Sequence, residues 1–504
     1  MDTSANTIFG KLKSKDYGYM LMLFWRSIFI MGLLLFAFIL GVVPQMVKPD
    51  VLPMIIAGYV IIILCAISIL KPLLLVYFTV ISASTSTIVK NIGNMNVGGT
   101  TMSTSGMRWA LITFIAGVIN LYYFRNKGIQ RKYWLYMVFL AYGVVIYIVK
   151  GSAGTGDKDL VWYALPMIIG MFTYNYFLNA DLKRFEHNDW LIRNNVFIVM
   201  WMFGWFFATG GLVMTANGPD GDVVARTVAL FTSTILPIPL ARWRYHPDPK
   251  QRRIGLVYSL LFLGTVFITL SRMALGTGMM LVVISRNRPR HFMRLVTAVL
   301  VGGTLIVSLF VAVPAFRARM FKNGRLPQNM TEFLITFDSS GRFSKLWPHT
   351  VASAMDSPIF GQGPGTARRN IGEAMTAQKV QQEYPPHNEY LQVWHDFGVV
   401  GAGILLIFYV YLTLQLWFRW KFHDDRGNYV QAYWSMAGFL SIFLIAFSSL
   451  TANTLHYPFV MAMAFMIMGM SDAMHDRFIQ EHHNQMMPDE KNPLRLKSMF
   501  VFTR

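Results

Sequence analysis

Charged residues are scarce in this chain, and that scarcity excludes most soluble folds. They make up 14% of the 504 residues, whereas hydrophobic residues make up 54%. A soluble domain typically carries about 25% charged residues. Apolar runs of roughly 18 or more residues recur from one end to the other, which is the length that crosses a bilayer as a helix. The composition therefore predicts an all-α, polytopic bundle of transmembrane helices.

Cysteine is almost missing as well. The single cysteine, Cys65, lies in an apolar run and has no second cysteine with which to form an intrachain disulfide. The redox compartment therefore cannot be read from cysteine usage.

Basic residues are abundant, with a net charge of +20, but their distribution follows membrane topology. With a cytoplasmic N-terminus, cytoplasmic segments hold 28 of the 45 Lys and Arg residues and short outer loops hold seven. Because the positive-inside bias counts over short loops, both termini are predicted to be cytoplasmic, and no nucleic-acid partner is needed. Fourteen spans are predicted, or twelve if one pair is read differently, near 19–43, 51–69, 72–89, 107–124, 133–149, 161–179, 194–214, 223–240, 253–271, 273–285, 293–314, 387–417, 433–450 and 457–475.

The spans divide the chain around one long outer loop. Residues 1–314 are predicted to hold helices 1–11, residues 387–475 helices 12–14, and residues 476–504 a cytoplasmic tail. The loop, 315–386, is of a length that is uncommon without a function. Its nine basic residues either bind an anionic ligand or are simply solvated. Within it, 345–355 is predicted to be a short helix on the membrane surface, ended by a glycine- and proline-rich run.

Two further basic residues lie at the predicted outer boundary. Arg272 stands between two apolar runs, where an arginine either faces a water-filled cavity or snorkels to the interface. His387 follows Pro385-Pro386 and is predicted to lie in the first turn of the twelfth span. The field of a helix N-terminus disfavours an imidazolium, so His387 would stay neutral and could accept a proton.

Glycines and one polar pair follow His387 along the same span. Gly398, Gly401 and Gly403 are predicted to let a neighbouring helix approach closely. The His395-Asp396 pair either orients a site or pairs with another helix.

The pair His387-Asn388, then nine residues and Gly398-Val399-Val400-Gly401, resembles the signature of the O-antigen ligase and polymerase superfamily. Arg342 with Trp347, and the Ser-Arg step at Arg272, also match the family pattern. The resemblance implies a glycosyltransferase on the periplasmic side of a bacterial inner membrane. It implies that Arg272 and Arg342 bind the pyrophosphate of an undecaprenyl-linked glycan, that His387 is the general base, and that Asn388, Trp347, Gly398 and Gly401 support the site.

No cofactor and no metal site are predicted, because the first outer loop offers only Asp50 where a metal-dependent enzyme of this class would place carboxylates. The partners implied are the lipid-linked donor, a lipid or glycan acceptor, and membrane lipid. The acceptor stays open. Lipid A-core would make the protein a ligase, a second lipid-linked glycan a polymerase, and a protein hydroxyl a third variant. A transporter for the same lipid is the alternative from another class. Ion coupling commonly relies on ionisable groups in the middle of spans. Apart from residues near span ends, only Asp396 is a carboxylate inside a predicted span, which argues against transport.

Overall fold

The structure is a computed structural model that describes about two thirds of the chain. The described ranges are 67–68, 71–89, 94–97, 100–123, 131–153, 156–179, 229–268, 271–287, 292–314, 342–375 and 384–486, with 289, 317, 328–329 and 332 between them. The predicted spans near 19–43 and 194–214, most of 51–69 and the predicted tail beyond 486 lie outside these residues.

Helices account for nearly all of the described chain. They are α1 (Pro72–Val89), α2 (Thr104–Tyr123), α3 (Arg131–Lys150), α4 (Gly156–Asn179), α5 (Pro237–Tyr245), α6 (Pro249–Ile268), α7 (Arg272–Arg286), α8 (Phe292–Ala312), α9 (Trp347–Ala354), α10 (Thr366–Met375), α11 (Glu389–Asp425), α12 (Tyr429–Ser448) and α13 (Pro458–Met486). A π-helical turn, Arg342–Leu346, precedes α9, and a 3-10 turn, Thr454–His456, precedes α13.

The all-α, multi-pass fold class is confirmed. Among the described helices, four are long and apolar enough to cross a membrane: Tyr133–Lys150, Glu389–Asp425, Tyr429–Ser448 and Pro458–His482. Because a helix rises about 1.5 Å per residue, each of these covers most or all of a hydrocarbon core of about 30 Å. The count of twelve to fourteen spans stays a prediction.

One predicted loop contains a short hairpin. Strands β1 (Asn94–Val97) and β2 (Thr100–Ser103) pair antiparallel, with Val97 opposite Thr100. These eight residues lie between the predicted spans 72–89 and 107–124. Two glycines, 98 and 99, stand between the strands in sequence, a composition typical of tight hairpins.

The described residues fall into two compact units. Those within Met1–Phe78 and Ile92–Ile115 form the first, which includes the hairpin. Those within Thr79–Asn91 and Ala116–Arg504 form the second. In the second unit α13 packs against α4 and α12, α11 packs against α3 and α12, and the short helices α9 and α10 pack against α11. Every residue of the site described below belongs to this second unit.

Candidate active site

His387 does not lie inside a helix, so its predicted position in the first turn was wrong. Asn388 is the N-cap of α11 and accepts a hydrogen bond from the Leu391 amide at 3.1 Å, and the helix begins at Glu389. His387 precedes this cap with a φ of +54°, the one positive φ among the described non-glycine residues. Such a backbone costs roughly 1–3 kcal/mol and clusters at functional sites. Asn388 thus caps the helix, and His387 lies one residue before the cap, outside the helix.

Trp347 holds the backbone next to His387. The Trp347 indole Nε1–H, at the start of α9, donates to the carbonyl oxygen of Pro386 at 3.0 Å. On the other side of the loop, the ring of Tyr384 meets the His387 ring edge-on, with centroids 5.9 Å apart. The helix predicted at 345–355 is present as the π-helical turn and α9, and its Trp347 anchors the turn that carries His387; its place on the membrane surface stays a prediction.

Arg342 begins the same π-helical turn and contacts the connection between α12 and α13. Its Nη1 donates to the carbonyl oxygen of Thr451 at 2.8 Å. The backbone at the start of α11 contacts the same connection, because the Glu389 amide donates to the Ser449 carbonyl at 2.9 Å. Arg342 and the turn that carries His387 are therefore both attached to residues 449–451, although they are 45 positions apart in sequence.

Arg272 is the first residue of α7, whereas the sequence predicted it in the turn between the spans 253–271 and 273–285. At the other end of α7, Arg244 donates to the Asn287 carbonyl at 2.8 Å and lies 5.5 Å from the centre of the Trp420 ring. The C-terminal end of α7 therefore lies beside the C-terminal part of α11. Arg272 stands at the opposite end of α7 from these contacts. Its side chain lies outside the described residues.

A buried charged cluster includes Glu389, two residues after His387, and it was not predicted from the sequence. Asp159, in the first turn of α4, is salt-bridged to Arg368 of α10 and lies 3.3 Å from Nε2 of His456. The other nitrogen of His456 lies 3.8 Å from Glu389, which is fully buried and accepts a hydrogen bond from the Leu455 amide at 3.0 Å. Two carboxylates, one arginine and one histidine thus join four separate segments, and their charges cancel when the imidazole is protonated.

The cluster favours that protonated form. Burial by itself lowers the pKa of His456, but the charge of Asp159 and the hydrogen bonds to Asp159 and Glu389 outweigh it and raise the pKa to about 9. Only 14% of the His456 side chain is exposed. A neutral, internally paired cluster of this kind is costly to break, because removing one partner leaves a buried charge unpaired.

The pair His395-Asp396 anchors the outer loop to α11. Asp396 accepts hydrogen bonds from the backbone amides of Gly365 and Ala367, at 3.1 and 2.8 Å, and from the Thr366 hydroxyl at 3.0 Å. These are the free donors at the start of α10, so the carboxylate satisfies groups that a helix N-terminus leaves open. Of the two readings left open by the sequence, the structure supports pairing with another helix, because the carboxylate binds the start of α10; an orienting role at a site stays a prediction.

The helix α11 breaks at Gly398, where φ is +68°. A Cβ atom there would overlap the carbonyl oxygen of Ile359, and the amides of Val399 and Val400 donate to Pro358 and Ile359 at 2.8 and 3.3 Å. Gly398 therefore admits the backbone of the loop. The predicted close approach of a neighbouring helix was wrong at this position.

The other two glycines differ from each other. A Cβ atom at Gly401 would lie 3.3 Å from the Tyr142 ring of α3, so here a small residue does permit close helix packing. Gly403 has open space around it, so the prediction was wrong there. Tyr142 also donates its hydroxyl to the carbonyl of Phe397 at 3.1 Å, beside the break.

Four acidic residues in predicted outer loops correct the interpretation that only Asp50 need be considered on the outer side. Two Asp-x-Asp pairs stand in predicted outer loops: Asp157 with Asp159, and Asp220 with Asp222. The prediction of no metal site considered only Asp50 in the first outer loop. Asp159 is engaged by Arg368 and His456, whereas 220 and 222 lie outside the described residues. In the described part of the chain, no group of three His, Cys, Asp or Glu side chains is arranged to hold a metal ion.

Comparison with known proteins agrees with the resemblance. Residues 257–406 match the family model described as O-antigen ligase, and no curated protein matches the chain. The matched segment contains Arg272, Arg342 and the whole His387–Gly401 motif, which confirms the predicted relation to that superfamily. It supports a multi-pass membrane enzyme of the O-antigen ligase and polymerase type. Asp159 and His456 lie outside the matched segment.

Proposed function

We propose, from the premise that residues 257–406 are an O-antigen ligase domain, that this protein transfers a glycan from undecaprenyl pyrophosphate to a hydroxyl of lipid A-core. The reaction takes place at the periplasmic face of the bacterial inner membrane, with both termini in the cytoplasm. It needs no metal ion or cofactor.

One observation supports this proposal most directly: the Arg342 turn and the start of α11 both bond to the connection between α12 and α13. Arg342 contacts Thr451, and the α11 turn contacts Ser449 and, through Pro386, the indole of Trp347. An anion-binding guanidinium and an imidazole are thereby held at the same end of the bundle. The backbone next to the strained His387 is bonded to Trp347, which directly follows the turn that begins with Arg342.

The proposed chemistry is an inverting displacement. Arg342 and Arg272 hold the pyrophosphate, since a guanidinium fork matches phosphate oxygens and keeps its charge. His387 accepts the proton of the acceptor hydroxyl. The hydroxyl oxygen forms a new bond to the anomeric carbon, while the bond from that carbon to the pyrophosphate oxygen breaks and its electron pair leaves with undecaprenyl pyrophosphate. Stabilising that charge is the main electrostatic task.

The test uses the full chain in lipid nanodiscs with a labelled lipid-linked glycan. We expect Arg272→Ala, Arg342→Ala and His387→Ala each to insert and fold but to lose transfer by about 100-fold or more. Arg342→Lys should also be impaired, because a point charge replaces the fork. Arg369→Ala is the matched control, since Arg369 lies on the same loop with 57% of its side chain exposed. Full activity in all three alanine variants would refute the site.

The acceptor separates a ligase from a polymerase. Donor supplied with lipid A-core should give a single conjugate that requires the core lipid. A ladder of longer lipid-linked products without lipid A-core would refute the ligase assignment and favour a polymerase with the same residues.

A further inference from the structure

Four arginines converge on one groove at the opposite end of the bundle from His387. Arg244 of α5, Arg252 and Arg253 of α6, and Arg286 of α7 line a cavity of about 360 Å³ together with Trp243. Among the described residues that line it, none is acidic. A topological bias explains why basic residues collect on one side of a membrane, but it does not explain why side chains from three helices meet in one cavity.

Packing holds two of the four in place. Arg244 donates to the carbonyls of Ser285 and Asn287, and the Arg286 guanidinium lies 4.5 Å from the centre of the Trp243 ring. The helices α5 and α6 are close enough that a Cβ atom at Gly255 would lie 2.6 Å from the Trp243 amide. The groove is therefore a built feature with oriented guanidiniums, whereas Arg252 and Arg253 are exposed at its mouth.

An apolar strip leads away from the groove along α6. The residues Arg253, Val257, Leu260, Gly264 and Phe267 are all exposed and recur at the spacing of one helix face. Val257 is 61% exposed and Leu260 is 59% exposed. The ten residue steps from Val257 to Phe267 cover about 15 Å, which matches one leaflet of a hydrocarbon core of about 30 Å.

A second cavity, of about 760 Å³, links the two features. It shares Arg253 with the first and continues along α6 past Ile254, Val257 and Tyr258. One carboxylate, Asp248, lies at its rim, where it accepts a hydrogen bond from the Lys250 amide at 2.8 Å.

We propose that this groove binds the phosphate-bearing headgroup of an anionic membrane lipid, with an acyl chain lying along the exposed face of α6. Guanidinium forks match phosphate oxygens, and the exposed strip suits hydrocarbon. The predicted topology places the groove at the cytoplasmic leaflet. The inference stands independently of the transfer reaction proposed above.

The test compares two charge-matched double variants of the full chain. Arg252→Gln with Arg253→Gln removes two charges at the groove, and both side chains are exposed, so folding should be kept. Lys421→Gln with Arg426→Gln removes two exposed charges from the same predicted side, and neither residue lines the groove. Lipid binding to the purified protein in detergent is measured by native mass spectrometry with phosphatidylglycerol and, in parallel, phosphatidylcholine.

We expect phosphatidylglycerol to bind the parent protein in preference to phosphatidylcholine. At about 1 kcal/mol for each basic residue near a lipid phosphate, the groove variant should lose roughly 30-fold in affinity. The control should change by less than about threefold. Equal loss in both variants would show diffuse attraction and refute the site, as would equal binding of the zwitterionic lipid. Displacement of the bound lipid by millimolar inorganic phosphate would show that the groove takes free phosphate and would refute a lipid site.

Discussion

The two ends of α11 carry polar networks of different construction. At the C-terminal end, the partners come from the interiors of regular helices: Arg419 pairs with Asp472 of α13, and Nε2 of His423 lies 2.9 Å from Nδ1 of His475. At the N-terminal end, the cluster of Asp159, Arg368, Glu389 and His456 joins helix ends to loops.

This difference separates a stabilising role from a positioning role. A network between continuous helices holds the bundle together and needs no particular loop conformation. The N-terminal network joins α10 and the turn before α13 to the first turns of α4 and α11, and its Glu389 lies two residues after His387. Damage at the C-terminal end should therefore lower stability, and damage at the N-terminal end should lower transfer as well.

The largest effect is expected for Gly398→Ala. The new Cβ would overlap the Ile359 carbonyl, and φ of +68° is strained for alanine. We expect several kcal/mol of lost stability and loss of transfer, measured by thermal unfolding and the transfer assay. Gly403→Ala is the control in the same helix, because its surroundings are open, and it should be neutral or slightly stabilising. A stable, active Gly398→Ala protein would contradict the placement of the loop in the helix break.

Replacing one carboxylate at each end of α11 tests whether the two networks have different roles. Asp159→Asn should unbalance Arg368 and His456, and Asp472→Asn should unbalance Arg419; each should cost about 3–5 kcal/mol, as expected for a broken buried ion pair. Transfer per folded molecule, with the folded fraction measured by size-exclusion chromatography, should fall only in Asp159→Asn. Equal specific activity in the two variants would show that the cluster of Asp159, Arg368, Glu389 and His456 has a structural role alone.

A smaller effect is expected from pH. The pKa of His456 is raised from its usual 6.5 to about 9, so the folded state binds a proton more tightly than the unfolded state. The resulting stability, up to about 3 kcal/mol, is fully present below pH 6.5, falls between 6.5 and 9, and is lost above 9. Thermal unfolding should show this decline, and His456→Gln should remove it. A stability of the parent protein that does not fall between pH 6.5 and 9 would contradict the charge assignment in the cluster.

The smallest effect is expected for Trp347→Phe. The variant keeps an aromatic ring but loses the hydrogen bond to the Pro386 carbonyl, which should cost about 1 kcal/mol. We expect transfer to fall a few-fold with little change in the unfolding temperature. Trp394→Phe is a useful control, because the Trp394 indole also donates to a proline carbonyl, that of Pro358, at 3.2 Å. A larger loss of transfer in the control would place the sensitive contact at the helix break.

Local signals in the sequence predicted the family segment and many of the helices correctly, whereas the site residues stay a prediction. Apolar runs located α3, α11, α12 and α13 to within a few residues, apart from the longer C-terminal ends of α11 and α13, and the motif at His387–Gly401 identified the family segment. The double proline led to a wrong start for α11, because the Asn388 side chain caps the helix one residue after His387. An N-cap signal was present in the sequence, since Asn is among the preferred N-cap residues.

Sequence alone determined the helical, membrane-spanning character of this protein and the motif at its proposed centre, because hydropathy and short-range spacing are properties of neighbouring residues. Tertiary structure decided which charges share a buried site. Asp159, Arg368, Glu389 and His456 are spread over about 300 positions, and each taken singly looks like an ordinary residue near a helix end. Their interaction energy depends on distances of a few ångströms in a medium of low dielectric constant, and only the folding of the chain sets those distances.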